Sequence, residues 1–184
     1  MSAQPHRWRP LLAVALTLAA GIADARIRMF SYDPADAETK AAAGPLTFAF
    51  NQGLLKVRLL SVHATEAQAT ADLRPAGEKV LGPGGLDALI GKDANERDLY
   101  QVLPAEEGAA LIAAFCPGAA HAWMAFSRPR LFQDLRIYVI GDGGAAKPTH
   151  ICRRLDFSFH GEWKLPPTGK FDERELPQDQ FPRS

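Results

Sequence analysis

Asp156, Ser158 and His160 are the residue types of a nucleophilic triad, and they recur at every second position of one strand-like run. A triad needs hydrogen-bonded contact from acid to base to nucleophile. Along a strand, side chains two residues apart are rooted about 6.5 to 7 Å from each other in a straight row. Such a row does not bring a serine to a histidine without a bend, and the chain has no Gly-x-Ser-x-Gly elbow. The stripe therefore reads first as a polar strand face for binding, through His150, Arg154 and His160, with Trp163 beside it as an exposed aromatic. Catalysis by Asp156, Ser158 and His160 is the alternative.

Metal chemistry has less support. His150, His160, His63 and His121, with Asp156 or Glu162, supply ligand types, but no His-Glu-x-x-His, Cys-x-x-Cys or calcium-loop spacing links them. Two cysteines alone do not make a four-ligand zinc site. Gly82-Pro83-Gly84-Gly85 sits before a helical stretch as a phosphate cradle would, yet it lacks the Lys-Ser/Thr of a P-loop, and Pro83 removes a backbone donor. Gly141-Asp142-Gly143-Gly144 reads as a hairpin connection. Cys116 would be a poor nucleophile, because a helix C-terminus disfavours a thiolate. No metal or cofactor is expected, and a non-catalytic protein is favoured over an enzyme.

The first residues set the compartment. Arg7 and Arg9 precede an apolar run from Leu11 to Ala23, and Ala23-Asp24-Ala25 fits the small-x-small cleavage pattern. Residues 1–25 thus read as a cleaved secretory signal, too short in its apolar part to anchor a chain. No stable membrane insertion is expected after cleavage. The 21 basic and 21 acidic residues are mixed along the chain, which argues against a nucleic-acid surface. Ala- and Arg-rich composition suggests a bacterial protein, periplasmic or secreted. Its expected partner is another envelope protein or a small envelope ligand. In an oxidising compartment Cys116 and Cys152, the only cysteines, are expected to form a disulfide.

The elements that must position these residues are mostly strands. Period-2 alternation marks Arg26 to Tyr32, Leu46 to Phe50, Leu54 to His63, Gln68 to Leu73, Leu99 to Leu103, His121 to Phe126, Leu131 to Ile140 and Thr149 to His160. Asp33-Pro34 and Gly44-Pro45 bracket a short helix, and Leu86 to Ile90 is another. Pro104 to Cys116 is the best helical pattern, stacking Gly108, Leu111, Ile112 and Phe115 on one face. One conflict arises in the last strand. Cys152 alternates with the polar residues, so reaching a helix on the apolar face requires a bulge near Arg153 and Arg154 or a helix end curled round the sheet edge.

These readings combine into an α+β expectation: a single domain, 26–164, with a mainly antiparallel sheet, one principal helix packed on it and one disulfide. A Pro-rich stretch, 165–184, reads as an extended or disordered tail. The function expected is that of an exported non-catalytic binding or interaction protein of the envelope, possible roles being an inhibitor or an accessory factor. A small secreted hydrolase using the Asp156, Ser158 and His160 strand face is the alternative.

Overall fold

The structure, a computed structural model, describes residues 26–52, 57–82, 85–105, 107–142 and 149–164. The expected signal (1–25), the Pro-rich tail (165–184) and parts of both glycine-rich loops lie outside the described residues. Strands β1 (Arg26–Pro34), β2 (Leu46–Gln52), β3 (Val57–Ala64), β4 (Ala69–Pro75), β5 (Asp98–Val102), β6 (Ala122–Phe126), β7 (Leu135–Gly141) and β8 (His150–Lys164) follow one another in chain order. Each pairs antiparallel with the next, and β8 pairs back to β1, so the sheet is a closed eight-stranded barrel.

The α+β expectation is thereby corrected. There is no open sheet with a principal helix layered on it. Three short helices, α1 (Ala37–Ala43), α2 (Gly85–Ile90) and α3 (Gly108–Phe115), accompany the barrel among the described residues, with one 3-10 turn at Glu78–Leu81. The cause of closure is the length of β8. Its 15 residues pair with β7 from His150 to Phe157 and then with β1 from Phe157 to Lys164. Closure removes both sheet edges, and it needs strands that bend. Register shifts supply the bends: between Val139 and Ile140 opposite Arg153 and Ile151, and between Ser31 and Tyr32 opposite Gly161 and Phe159. They leave Cys152 and His160 as the extra residues of two bulges. The first bulge resolves the conflict over Cys152, which packs against the interior core together with Leu155 and Phe157, residues of the opposite phase in a regular strand.

Inward rows are apolar and outward rows polar. Phe30, Tyr32, Phe48, Phe50, Met124, Phe126, Ile137, Val139, Leu155 and Phe157 form the buried interior. Outside stand Arg58, His63, Thr70, Asp72, Arg74, Arg154 and Ser158, all exposed. A lipid-embedded barrel has the reverse pattern, apolar outside. Where the outer face of β5, β6 and β7 is apolar, at Leu99, Trp123, Ala125 and Ile140, it is covered by Leu81 and Leu86 from the 3-10 turn and α2.

The barrel's two ends differ. One carries α1 between β1 and β2 and α3 between β5 and β6; Ala43, Leu111, Ile112 and Phe115 plug it, and the Cys116–Cys152 disulfide, with its Cα atoms 5.2 Å apart, ties α3 to β8 there. Asp36 caps α1 through the Thr39 amide (2.7 Å), and Thr39 Oγ1 accepts from the Asp156 amide (3.1 Å), which binds α1 to β8 as well. At the other end no helix enters the interior among the described residues. That end is the mouth.

Candidate functional site

Alternation brings Arg28, Phe30, Phe50, Leu59, Asp98 and Tyr100 to the inner rows at the mouth, on β1, β2, β3 and β5. Phe30 and Phe50 meet with ring centroids 5.0 Å apart. Tyr100 stacks on Phe126, 5.2 Å away and 7° from parallel, and Phe126 in turn meets Phe48 at 5.4 Å. Above Phe30, Phe50, Leu59 and Tyr100 lies a cavity of about 300 Å³. That is the lower end of the range of small-molecule sites, which runs from about 300 to 1,000 Å³. Its rim is Arg28, Val57 and Asp98, together with Arg128, Pro129, Arg130 and Leu131 from the loop between β6 and β7. A larger depression of about 560 Å³ shares Asp98, Arg128 and Arg130 but is more open and has no aromatic floor.

Charges at the mouth fall into two groups. Arg28 is engaged: it pairs with Glu162, donates to Gln52 Oε1 (2.9 Å) and lies 5.3 Å over the Phe30 ring. Its hydrogen bond holds the Glu162 carboxyl below the usual carboxylate range, against the opposing effect of burial. Arg128 and Arg130 are exposed, and neither donates a hydrogen bond to a described residue. Burial raises the Tyr100 phenol above its ordinary value; Asp98 adds to this and Arg128 opposes it, so all three share one electrostatic environment. An apolar floor under a cationic rim holds an amphipathic molecule well. Asp98 is the one carboxylate among the described lining residues, and no serine, cysteine or histidine lines the cavity with it.

The residues expected from sequence lie elsewhere, on the outer wall of β8. Asp156 is bound by Arg136 Nε (2.6 Å) and Arg154 Nε (3.1 Å), not by His160. His160 Nδ1 lies instead 2.7 Å from Asp33 Oδ2, and both side chains are more than half exposed. Ser158 stands directly across from Asp33 in the β1–β8 register and forms no hydrogen bond to His160. The row is therefore split: Asp156 belongs to the arginines Arg136 and Arg154, and His160 to Asp33. Trp163 is half-buried and donates from Nε1 to Ser31 Oγ (3.1 Å). His150, at the plugged end, has Nε2 3.7 Å from Cys152 Sγ. His63 meets Thr70 and His121 meets Asp142, each on the surface.

Cys116, His150 and Cys152 bring three ligand-type atoms within 4.8 Å of one another, but both sulfurs are committed to the disulfide. Among the described residues, two buried polar atoms, Tyr32 Oη and Arg153 Nε, have no hydrogen-bond partner. Neither residue lines the mouth cavity.

The mouth was missed in the sequence because its residues come from five separate segments. A signal was nevertheless present. Arg28 is in phase with Phe30 and Tyr32, which places a cation on an inward row. Arg128-Pro129-Arg130 also concentrates positive charge in one loop of a neutral chain. No protein-family model matches the chain, and neither a curated protein nor a solved structure was found to be similar to it.

Proposed function

We propose that this chain is an exported, non-catalytic binding protein of the cell envelope, and that it takes a small envelope ligand into the barrel mouth. The observation that carries this reading is the cavity of about 300 Å³ at the one barrel end that the helices leave unplugged. An eight-stranded barrel is just wide enough for its side chains to fill it or for it to hold one small ligand. Here the interior is filled from the plugged end by buried side chains, many of them aromatic, and the cavity lies at the mouth. The absence of a nucleophile or histidine from the described lining residues separates this reading from the hydrolase alternative, whose Ser158 and His160 lie on the outer wall. The disulfide fits an oxidising compartment.

Native mass spectrometry tests the proposal. The purified protein, incubated with an extract of envelope small molecules and desalted, should retain an adduct of small-molecule mass at one per chain. Val57→Trp, which places an indole at the rim from an exposed position, should abolish the adduct without unfolding the protein. An adduct retained equally by the variant, or none on the parent protein, would overturn the mouth as the binding site.

A further inference from the structure

The mouth's chemistry specifies more than the presence of a ligand. Floor and rim ask for different things. Phe30, Phe50 and Tyr100 offer ring faces and edges in a partly enclosed space, which favours an apolar chain or ring. Three guanidiniums surround the opening, against two carboxylates, Asp98 and Glu162. Glu162 is taken up by Arg28, which also holds Gln52, so that pair contributes little net field. What remains is Arg128 and Arg130, two residues apart across Pro129, facing one cavity, with Asp98 as the opposing charge. Proline fixes its own φ and biases the residue before it toward extended backbone, so the two guanidiniums are presented from a stiffened segment. An unpaired guanidinium offers a planar fork of donors that matches a carboxylate, phosphate or sulfonate.

We propose that the mouth cavity binds a small anionic amphiphile, its apolar part lying on Phe30, Phe50 and Tyr100 and its anionic group held by Arg128 and Arg130. This rests on the mouth being the binding site and adds the class of ligand. A carboxylate or a phosphate head would satisfy the rim; the tail must be short enough for a cavity of about 300 Å³. Phe132, next to the rim residue Leu131 and 87 % exposed, extends the apolar surface beyond the rim, so a longer tail would leave the cavity along the loop.

Paired fluorescent probes test the proposal: the sulfonate 1-anilinonaphthalene-8-sulfonate and its neutral relative N-phenyl-1-naphthylamine, titrated into the purified protein. The sulfonate should bind one per chain, at least tenfold more tightly than the neutral probe. Dodecanoate and dodecyl phosphate should displace it and dodecanol should not; whichever anion displaces at lower concentration identifies the preferred head group. The double variant Arg128→Ala, Arg130→Ala should weaken sulfonate binding at least tenfold and leave the neutral probe within twofold, while the double lysine variant restores part of the loss. Equal affinity for the two probes, or no loss in the double alanine variant, would overturn the anionic class and leave the mouth intact as a site. Failure of both probes to bind, or binding undiminished in Val57→Trp, would overturn the mouth itself.

Discussion

Thr39 shows how one hydroxyl can hold two elements together. Its side chain is buried, donates to Asp36 Oδ2 (2.9 Å) and accepts from the Asp156 amide (3.1 Å), so it links the α1 cap to β8. Thr39→Val keeps the shape and removes both bonds. The Asp156 N–H then loses its acceptor in a part-buried setting, and the expected cost is about 1 to 3 kcal/mol, read as a lower urea midpoint at unchanged slope. A variant as stable as the parent would mean that water replaces the hydroxyl. Carboxylates set the acid limit at this same scale. Burial alone would push the Asp142 carboxyl up, but bonds from the His121 side chain and from the His121 and Ala120 amides outweigh it, so its value lies below the usual range. Glu162 is lowered too, first by Arg28. A carboxyl depressed by folding contributes stability above its unfolded value and loses it as pH falls through the folded one. Stability should therefore be flat near neutrality and fall below about pH 5, and Asp142→Asn should make that fall shallower. Urea midpoints from pH 7 to pH 3 check this, and parallel curves for the two proteins would refute it.

Among the elements, α3 is the one whose entry is most tightly constrained. A Cβ on Gly108 would lie 1.8 Å from the Leu103 carbonyl oxygen, an overlap that only backbone movement can relieve. Gly108→Ala should cost about 3 kcal/mol or more, with the plug displaced. Gly77→Ala is the control, because nothing lies within 4 Å of its added carbon. Urea denaturation of both variants gives the comparison, and equal midpoints would show that the loop before α3 yields freely. All eight strands were legible in the sequence, since Leu46, Phe48 and Phe50 or Leu135, Ile137 and Val139 announce themselves by period alone. Even the bulge at Cys152 was foreshadowed by a cysteine on the wrong face. Barrel closure was not legible. The alternation of the last strand is read from Thr149 to His160 only; in the structure the strand continues through Glu162 and Trp163 to Lys164, and that extension pairs with β1. Alternation marks a strand's faces but not its neighbours, and the best helical pattern, Pro104 to Cys116, reads as a principal helix packed on the sheet, whereas the helix is Gly108–Phe115 and plugs one end of the barrel. The candidate site was hidden for the same reason: Arg28 and Arg130, far apart in the chain, come to line one cavity only once the sheet has closed.

At the scale of the molecule, barrel closure and disulfide act on the same strand from opposite directions. Hydrogen bonds from β7 and β1 hold β8 along its length, while Cys152 fastens its first turn of sheet to the end of α3. The sequence separation of 36 between the cysteines closes a loop that contains β6 and β7. In the chain-entropy treatment such a crosslink contributes about 4 kcal/mol by restricting the unfolded chain. Cys116→Ser with Cys152→Ser should lower stability by about that amount, a large share of the roughly 5 to 15 kcal/mol of an ordinary domain. The form of the transition is as informative as its midpoint. One interior core runs from the plug through all eight strands, so no strand can leave without opening the barrel. Loss of the crosslink should therefore shift a single transition rather than create a second one. Trp123 on the outer wall of β6 and Trp163 near the mouth on β8 report from two regions, and far-ultraviolet circular dichroism reports on the sheet. The fluorescence and dichroism curves should coincide in both the oxidised protein and the double serine variant. Separation of the two curves in the variant would mean that the plugged end unfolds on its own, and that the disulfide, rather than closure of the sheet, is what makes the barrel one unit.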